Sequence, residues 1–356
     1  MIKIGLIGCG QIAKLRHAPE YAAHPECEIA GVFDLNEEKA RALADCYGAR
    51  TYASAQELLA SDIDAVSICA ANAAHCRYTL MALLAMKNVL CEKPMAMSLE
   101  ECGAMVETAR QTDRVLMIAQ NQRLNQAHQI VRSLVAQGEI GRLLAFQLTF
   151  GHSGPENWTG QPDPWFFRKN SAGLGALGDL GVHKIDLLRY LTGDEVSQVA
   201  AMTGTLDKRL ADGSPADVED NACLLLRMCS GAVGTIRASW TFYGQEDNST
   251  VLYGTRGSIH VYTDPARAVV VRNRDGTERA FTERNMATNA QQLEGKGENT
   301  GVIDAFIRAI LSGGPSCADG EDVLKTMRVV FAAEQAAREQ KTIVLTPAAQ
   351  AGRPAL

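Results

Sequence analysis

The stretch that decides the fold is Ile4-Gly5-Leu6-Ile7-Gly8-Cys9-Gly10-Gln11-Ile12-Ala13. It reads as an apolar strand that runs into G-x-G-x-x-A and then into a helix. In such a turn Gly8 permits the tight reversal, Gly10 lets the backbone approach a pyrophosphate, and Ala13 lets the helix pack closely on the strand. The first helical turn, with Gln11 and Ile12, offers free N–H groups to phosphate. The pattern predicts a dinucleotide-binding βαβ unit, and its place at a strand–helix junction carries more weight than the glycines alone.

An acidic residue ends the next predicted strand. The run E-I-A-G-V-F-D closes on Asp34, at the spacing of the residue that binds the ribose hydroxyls in dinucleotide folds. A carboxylate there would repel a 2′-phosphate, so the sequence predicts NAD in preference to NADP. The alternative for Asp34 is a cap for the helix that follows, because Asp is a common N-cap residue.

The first third of the chain alternates apolar strand-like runs with segments of helical period. Continuous apolar strands separated by helices indicate a parallel sheet that is covered on both faces. The predicted strands span residues 2–7, 29–33, 65–70, 88–91 and 115–119, and the predicted helices span residues 36–47, 74–86 and 98–112.

After Gly141 the pattern changes to strand-like runs joined by short turns, followed by two helices near residues 300–311 and 320–340. This change favours a largely antiparallel sheet. The predicted fold class is therefore α/β, with an N-terminal Rossmann dinucleotide-binding domain and a C-terminal α+β domain built on a large, mostly antiparallel sheet. The predicted bounds are 1–122 for the first domain, 123–345 for a substrate-binding and oligomerisation domain, and 346–356 for a loose tail.

Residues Val89 to Met97 read V-L-C-E-K-P-M-A-M, so a strand leads Glu92 and Lys93 directly into Pro94. Enzymes of the α/β class keep their chemistry where the backbone leaves the carboxyl ends of the strands. Pro94 would fix the turn and hold Lys93 in a reproducible direction. The alternative is an exposed ion pair in a loop, which would contribute little to stability.

A glycine-rich loop and a helix form a second constellation, from Gly173 to Leu188. Asp179 and His183 stand four residues apart and therefore share one helix face. A carboxylate beside an imidazole can orient it and raise its proton affinity, which suits a general base. The alternative is an N-cap aspartate with a structural histidine. No further His, Asp or Glu cluster has the spacing of metal ligands, so no metal is predicted.

Composition argues against several classes of protein. The chain has 356 residues, of which 46% are hydrophobic and 21% charged, with a net charge of −6. This mild acidity disfavours a nucleic-acid surface, and no run approaches the ~20 apolar residues of a membrane span. The ten cysteines are scattered without a C-x-x-C pair, so neither a zinc ribbon nor a disulfide framework is indicated. Met1 is followed at once by strand-like residues without a signal peptide, and a cytoplasmic location is predicted.

Three motifs together resemble the glucose-fructose oxidoreductase / inositol dehydrogenase (Gfo/Idh/MocA) family. They are the N-terminal G-x-G-x-x-A, the E-K-P that begins at Glu92, and the D-x-G-x-H from Asp179 to His183, which Gly175 precedes. The resemblance covers nearly the whole chain, and the last two motifs in combination are more specific than the glycines. The sequence departs at two places, because Leu174 interrupts the glycine run and Ala71 stands where a proline is common.

The resemblance implies NAD-dependent oxidation of a secondary alcohol. In that reaction His183 would be the base, Asp179 would position it or the substrate, and Lys93 would hydrogen-bond the reacting oxygen. The residues expected at the cofactor are Gly8, Gly10, Gln11, Ile12, Asp34, Ala71, Asn72, His75, Glu92, Lys93, Asn121, Trp165 and Arg168. The residues expected at the substrate are Lys93, Arg123, His152, Asn157, Asp179 and His183, with Glu156 in the same polar loop.

A cleft with these polar groups suits a hydroxyl-rich small molecule such as a sugar, an inositol or a glycoside. Two other functions remain open: an NAD-dependent glycosidase that oxidises a sugar transiently, and a regulator that senses a dinucleotide without chemistry. Lys93, Asp179 and His183 together argue against the regulator. The strand-rich C-terminal half leaves a sheet face or edge to cover, so we also expect a homodimer or homotetramer packed through these sheets.

Overall fold

The computed structural model describes residues 1–282 and 299–346, and its first sheet contains six parallel strands. These are β1 (Ile2–Ile7), β2 (Cys27–Phe33), β3 (Arg50–Thr51), β4 (Ala65–Ile68), β5 (Asn88–Cys91) and β6 (Leu116–Ile118). Their order is β3-β2-β1-β4-β5-β6, the doubly wound order of a dinucleotide-binding sheet. All of β4 and nearly all of β1 are buried, as expected of parallel strands covered on both faces.

Five helices connect these strands and confirm the predicted alternation. They are α1 (Ala18–Ala23), α2 (Glu37–Tyr47), α3 (Ala55–Leu59), α4 (Asn72–Leu84) and α5 (Leu99–Thr112). Local chemistry sets the start of α5: the Ser98 hydroxyl accepts the Glu101 N–H at 3.1 Å, and the Glu101 carboxylate accepts the Met97 N–H at 2.9 Å. Such reciprocal capping satisfies backbone donors that the first helical turn leaves free.

The second sheet contains nine strands and is mostly antiparallel, as the sequence predicted. Its strands are β7 (Leu143–Gly151), β8 (Val196–Gly204), β9 (Asn221–Met228), β10 (Val233–Ser239), β11 (Thr250–Gly254), β12 (Gly257–Asp264), β13 (Arg267–Asn273), β14 (Glu278–Phe281) and β15 (Ile343–Val344). Their order is β14-β13-β12-β11-β7-β10-β9-β8-β15, and within this described sheet β7 and β10 form the parallel pair. No strand was predicted at β8, where small and polar residues interrupt the apolar pattern.

Six more helices follow the first domain in the chain. They are α6 (Gln126–Ala136), α7 (Pro155–Thr159), α8 (Lys169–Ala172), α9 (Val182–Thr192), α10 (Val302–Ser312) and α11 (Gly320–Glu339). Almost every residue of α9 is buried, because it lies between the second sheet and α6 and α11. This position fixes the side chains that α9 turns toward the first domain.

Helix α10 departs from the predicted domain bounds. Those bounds assign it to the second domain, but Ile303 and Phe306 pack in one core with Ile4 and Leu6 of β1. The apolar side chains of α10 recur at helical spacing, and burying them on the first sheet stabilises it. A division made in chain order does not capture such a return of the chain.

Residues 347–356, nearly all of the predicted tail, lie outside the described residues. In the part that is described, no helix has both the length and the apolar character to cross a membrane. All ten cysteines are unpaired.

Candidate active site

A cavity of about 380 Å³ lies at the carboxyl ends of β1, β2, β4 and β5, with β7 and α9 on its other side. The doubly wound fold predicts a ligand site at this edge of the sheet. The structure brings fifteen of the predicted site residues to this cavity: Gly8, Gly10, Gln11, Ile12, Asp34, Ala71, Asn72, His75, Glu92, Lys93, Asn121, His152, Trp165, Asp179 and His183.

The glycine loop after β1 is shaped for a close ligand. Gly8 has a φ of +92°, and a Cβ there would lie 2.6 Å from the backbone carbonyl carbon of Cys69. Both conditions require glycine. Gly10 faces open space, since no heavy atom of the described chain lies within 4 Å of where its Cβ would stand. A π-helical turn, Ala13–His17, follows the loop and continues into α1. The loop therefore leaves room for phosphate groups at the start of this helical segment, which fits a dinucleotide.

Asp34 lies beside this loop at the end of β2. Its carboxylate accepts the backbone N–H of Cys9 at 2.6 Å and that of Asn36 at 2.8 Å. The cap of α2 is Asn36, whose side chain accepts the Lys39 N–H at 3.1 Å. The capping interpretation of Asp34 is therefore wrong, and its fixed carboxylate lines the cavity.

A series of buried side-chain hydrogen bonds fixes the position of Glu92. Glu92 Oε1 lies 3.0 Å from His17 Nε2, His17 Nδ1 lies 3.1 Å from Ser67 Oγ, and the Tyr21 hydroxyl lies 2.7 Å from the same Ser67 oxygen. Burial alone would lower the pKa of His17, but Cys69 and Glu92 outweigh it and raise that pKa to about 10. Burial would raise the pKa of Glu92, but the hydrogen bond and charge of His17 lower it to about 2. Glu92 thus presents a permanently ionised carboxylate to the cavity.

Lys93 and Asp179 meet across the two domains. Lys93 Nζ donates to Asp179 Oδ1 at 2.6 Å and to the Asp179 carbonyl at 3.1 Å, and Trp240 Nε1 donates to Asp179 Oδ2 at 3.0 Å. Burial opposes the charge of Asp179, but the Lys93 ammonium holds the pKa of that carboxyl below its usual value. The interpretation of Lys93 as part of an exposed ion pair is wrong, since its side chain is only 18% exposed.

His183 lies in the same cavity with an unengaged imidazole. Its Nδ1 is buried and has no hydrogen-bond partner among the described residues. Burial and the nearby Lys93 hold the pKa of His183 well below its ordinary value. Both Asp179 oxygens are occupied by Lys93 and Trp240, so the structure does not show the carboxylate orienting this ring. The ring is neutral and can accept a proton from a ligand hydroxyl.

The glycines around Asp179 allow a tight approach of chain segments. A Cβ on Gly175 would lie 1.9 Å from the Glu219 carbonyl oxygen. The segment Leu177–Gly181 is a π-helical turn, in which the Val182 N–H donates to the Leu177 carbonyl. Such widened turns are frequent at functional sites, and here one carries Asp179 to the cavity.

Two predicted cofactor residues support the cavity wall through backbone contacts. The His75 ring lies between the Pro94 carbonyl, 2.8 Å from Nδ1, and the Ala70 carbonyl, 3.0 Å from Nε2. Asn72 Nδ2 donates to the Ala172 carbonyl at 2.9 Å. These contacts hold the E-K-P turn and α8 against α4, while both residues also line the cavity.

Three predicted site residues are not brought to the cavity. Arg123 is buried and forms ion pairs with Asp186 at 2.5 Å and Asp322 at 2.8 Å, so its assignment to the substrate is corrected. The partners that draw it away lie far along the chain, on α9 and α11. The other two are corrected in the same way. Asn157 is exposed and donates to the Ser153 carbonyl, and Arg168 pairs with Asp163.

His152 has one nitrogen free to bind a ligand. Its Nδ1 accepts the Gly154 N–H at 3.0 Å, so the ring proton of the neutral form lies on Nε2. That Nε2 is buried without a partner among the described residues, although the residue lines the cavity. A ligand oxygen is the natural acceptor for this N–H group.

Sequence reasoning missed several residues that line the cavity. They include Arg16, Tyr78, Gln122, Phe150, Trp158 and Glu246. A signal was available for Arg16, which lies three residues after Ala13, the last residue of the glycine motif. The positions of Gln122 and Glu246 depend on how the second sheet packs on the first, and no short motif marks them. Within the described residues, no group of His, Cys, Asp and Glu could hold a metal ion.

Comparison with known proteins agrees with this architecture. Residues 2–120 match the oxidoreductase family with an NAD-binding Rossmann fold, and residues 128–260 match a Gfo/Idh/MocA C-terminal domain. The chain is 31% identical to levoglucosan dehydrogenase of Pseudarthrobacter phenanthrenivorans, over 90% of this chain and 93% of that protein. It is 26% identical to myo-inositol 2-dehydrogenase of Thermotoga maritima, over 97% and 98%.

A solved structure extends the likeness to three dimensions. A levoglucosan dehydrogenase in complex with NADH and levoglucosan superposes with a TM-score of 0.84 at 28% identity, over 96% of this chain and 99% of that one. The two family models and the long relatives cover both sheets and the cavity between them. The chain therefore belongs to the Gfo/Idh/MocA oxidoreductase family.

Proposed function

We propose that this protein is an NAD-dependent dehydrogenase that oxidises a secondary hydroxyl of a sugar, an inositol or a glycoside. One observation carries the proposal: the Lys93 ammonium, held 2.6 Å from Asp179, shares a cavity with the unpartnered imidazole of His183. A fixed cation beside a neutral base is what removal of a hydroxyl proton requires. The dehydrogenases to which the chain is similar support the same class of reaction.

Each residue has its own role in the proposed reaction. When bound, NAD supplies the hydride acceptor. Lys93 hydrogen-bonds the substrate oxygen and stabilises the negative charge that develops on it. His183 accepts the hydroxyl proton, because its ring is neutral and lines the cavity. Asp179 holds the Lys93 ammonium in place, whereas the sequence analysis expected it to position His183 or the substrate.

NAD is the proposed cofactor because the cavity fits its parts. The glycine loop offers an open backbone surface at the start of a helix, which suits the pyrophosphate. The Asp34 carboxylate, fixed by two N–H groups, suits ribose hydroxyls and repels a 2′-phosphate. The solved relative that binds NADH supports this choice over NADP.

The experiment is an assay of purified protein with NAD and a panel of levoglucosan, methyl glucosides, glucose and myo-inositol, with NADH and product measured together. A dehydrogenase forms NADH and a keto product in equal amounts. Release of the methyl group from a glucoside without net NADH would identify the glycosidase. NAD binding without turnover of any compound would identify the sensor, and either result would overturn the proposal.

We further propose that the protein is a homodimer or homotetramer joined through the outer face of the second sheet. Alternate residues of β9 are exposed, and this face carries Leu225, 57% exposed, Met202 of β8, 81% exposed, and Tyr253 of β11, 42% exposed. Apolar side chains concentrated on one sheet face favour a partner surface. Light scattering at micromolar concentrations tests this, and a monomer would contradict it.

We also propose that the protein acts in the cytoplasm. The ten unpaired cysteines support this, since exposed ones such as Cys223 and Cys46 persist as thiols in a reducing compartment. Cell fractionation of the source organism tests the location.

A further inference from the structure

Gln122 lines the cavity, has no role in the proposed reaction, and has a side-chain oxygen without a hydrogen-bond partner among the described residues. It is 2% exposed and lies four residues after the end of β6. Its Oε1 has no hydrogen-bond partner among the described residues, and its Nε2 makes one long contact, 3.4 Å, to Asn248 Oδ1. The residue nevertheless lines the cavity. A buried amide oxygen left unpaired loses its hydration without compensation, so a ligand donor there would be favourable.

Glu246 lies in the loop between β10 and β11 and lines the same cavity as Gln122. It lines the cavity, and none of the hydrogen bonds or ion pairs in the described part of the chain reaches its carboxylate. The nearby Lys184 is already engaged, because its Nζ donates to the Asn248 carbonyl at 2.9 Å and to Thr250 Oγ1 at 3.3 Å. Burial removes water from the Glu246 carboxyl group and raises its pKa to about 7.

Gln122 and the loop that carries Glu246 and Asn248 together form one wall of the cavity. The Gln122 side chain contacts Asn248, and Asn248 stands two residues after Glu246 on a loop anchored to the end of β7. The anchor is a pair of backbone hydrogen bonds between Gly151 and Asp247, at 2.8 and 2.9 Å. The wall therefore has a fixed place relative to β7, which ends beside His152.

Resting on the proposed function, we propose that Gln122 and Glu246 bind the substrate hydroxyls next to the one that is oxidised, and so select a ring with adjacent free hydroxyls. No hydrogen bond among the described residues reaches the Gln122 amide oxygen or the Glu246 carboxyl group. The Glu246 carboxyl group has two oxygens, which can accept hydrogen bonds from neighbouring hydroxyls. His152 Nε2 supplies a complementary donor at the same cavity.

The test compares Glu246→Gln and Gln122→Met with Gln245→Ala, an exposed neighbour on the same loop. Calorimetry measures the affinity of the NADH-loaded protein for the probe that the wild type oxidises, from levoglucosan and methyl glucosides, and for each monodeoxy analogue of that probe. We expect Glu246→Gln to weaken binding of the parent sugar ~10–100-fold and Gln122→Met ~5–10-fold. The control should bind like the wild type, and the losses should fall on KM more than on kcat.

The deoxy analogues decide whether the contact is direct. For the analogue that lacks the hydroxyl bound by the altered residue, variant and wild type should bind equally. Equal weakening for the parent and for every analogue would overturn the inference, and so would variants that bind like the wild type. If Glu246→Gln fails to fold, Gln122→Met decides in the same way. A wild type that oxidises no probe would overturn the proposed function, whereas wild-type oxidation without this coupling would overturn only the inference.

Discussion

Replacing Lys93 by Met should separate catalysis from folding. The Lys93 ammonium lies 2.6 Å from Asp179, and the two side chains are 18% and 10% exposed. Breaking a buried ion pair on one side costs ~3–5 kcal/mol of folding free energy, because the remaining charge is left uncompensated. Loss of a fixed donor to the negative charge that develops on the substrate oxygen lowers turnover ~10²–10³-fold, a barrier increase of about 3–4 kcal/mol. Lys93→Met should therefore be less stable and nearly inactive.

The double variant Lys93→Met/Asp179→Asn removes the uncompensated charge as well. It should recover most of the lost thermal stability and none of the activity. The assay combines thermal unfolding, NAD titration and kcat/KM with the best substrate. Turnover of Lys93→Met within about tenfold of the wild type, or a double variant less stable than the single, would refute the reasoning.

The pH dependence of Lys93→Met follows from the same pair. In the wild type Lys93 holds the pKa of Asp179 below its usual value. Without the cation, burial dominates and raises that pKa, so the folded state binds the proton more tightly than the unfolded state. The stability deficit of the variant should then be small at about pH 4 and grow toward about pH 8. A deficit that is constant over this range would contradict the assignment.

Asp34→Ala should weaken NAD binding and relax discrimination against NADP, and tighter wild-type binding of NADP than NAD in fluorescence titrations would contradict this. His183→Ala should bind NAD normally but turn over ~10²–10⁴-fold more slowly. Because the pKa of His183 lies well below 6.5, protonation of this ring should not lower the wild-type rate between about pH 6.5 and 8. Leu225→Glu should shift the oligomer toward monomer in light scattering without loss of folding. The pKa of His17 is raised from 6.5 to about 10, so its contribution to folding stability is complete below about pH 6.5 and is lost toward pH 10. The pKa of Glu92 is lowered from 4.5 to about 2, so its contribution to folding stability is lost as the pH falls below about 4.5. Thermal unfolding of His17→Gln should therefore vary less across the alkaline range than that of the wild type.

Short-range motifs predicted the parts of the site whose geometry is local. The turn at Gly8, the E-K-P exit at Lys93 and the spacing of Asp179 and His183 all depend on a few neighbouring residues. Each lies at the cavity as expected. The parallel sheet was also readable, because buried parallel strands are continuously apolar.

Ion pairs and hydrogen bonds between residues that are distant in sequence could not be predicted from the sequence. Arg123 carries the right chemistry for a substrate contact, yet Asp186 and Asp322 bind it from positions 63 and 199 residues away. The relation of Asp179 to His183 likewise changed once Lys93 and Trp240 occupied the carboxylate. Which of several possible partners a buried charge finds is decided by packing between elements, and single-sequence patterns do not encode it.

The most direct test of the central claim follows a hydrogen atom. The wild type is incubated with NAD and the perdeuterated form of the sugar that it oxidises, and the nucleotide is analysed by mass spectrometry. A dehydrogenase should yield NADH that is one mass unit heavier than NADH from the unlabelled sugar, in an amount equal to the keto product. Recovery of the nucleotide as NAD alone, with the sugar intact or hydrolysed, would contradict the account.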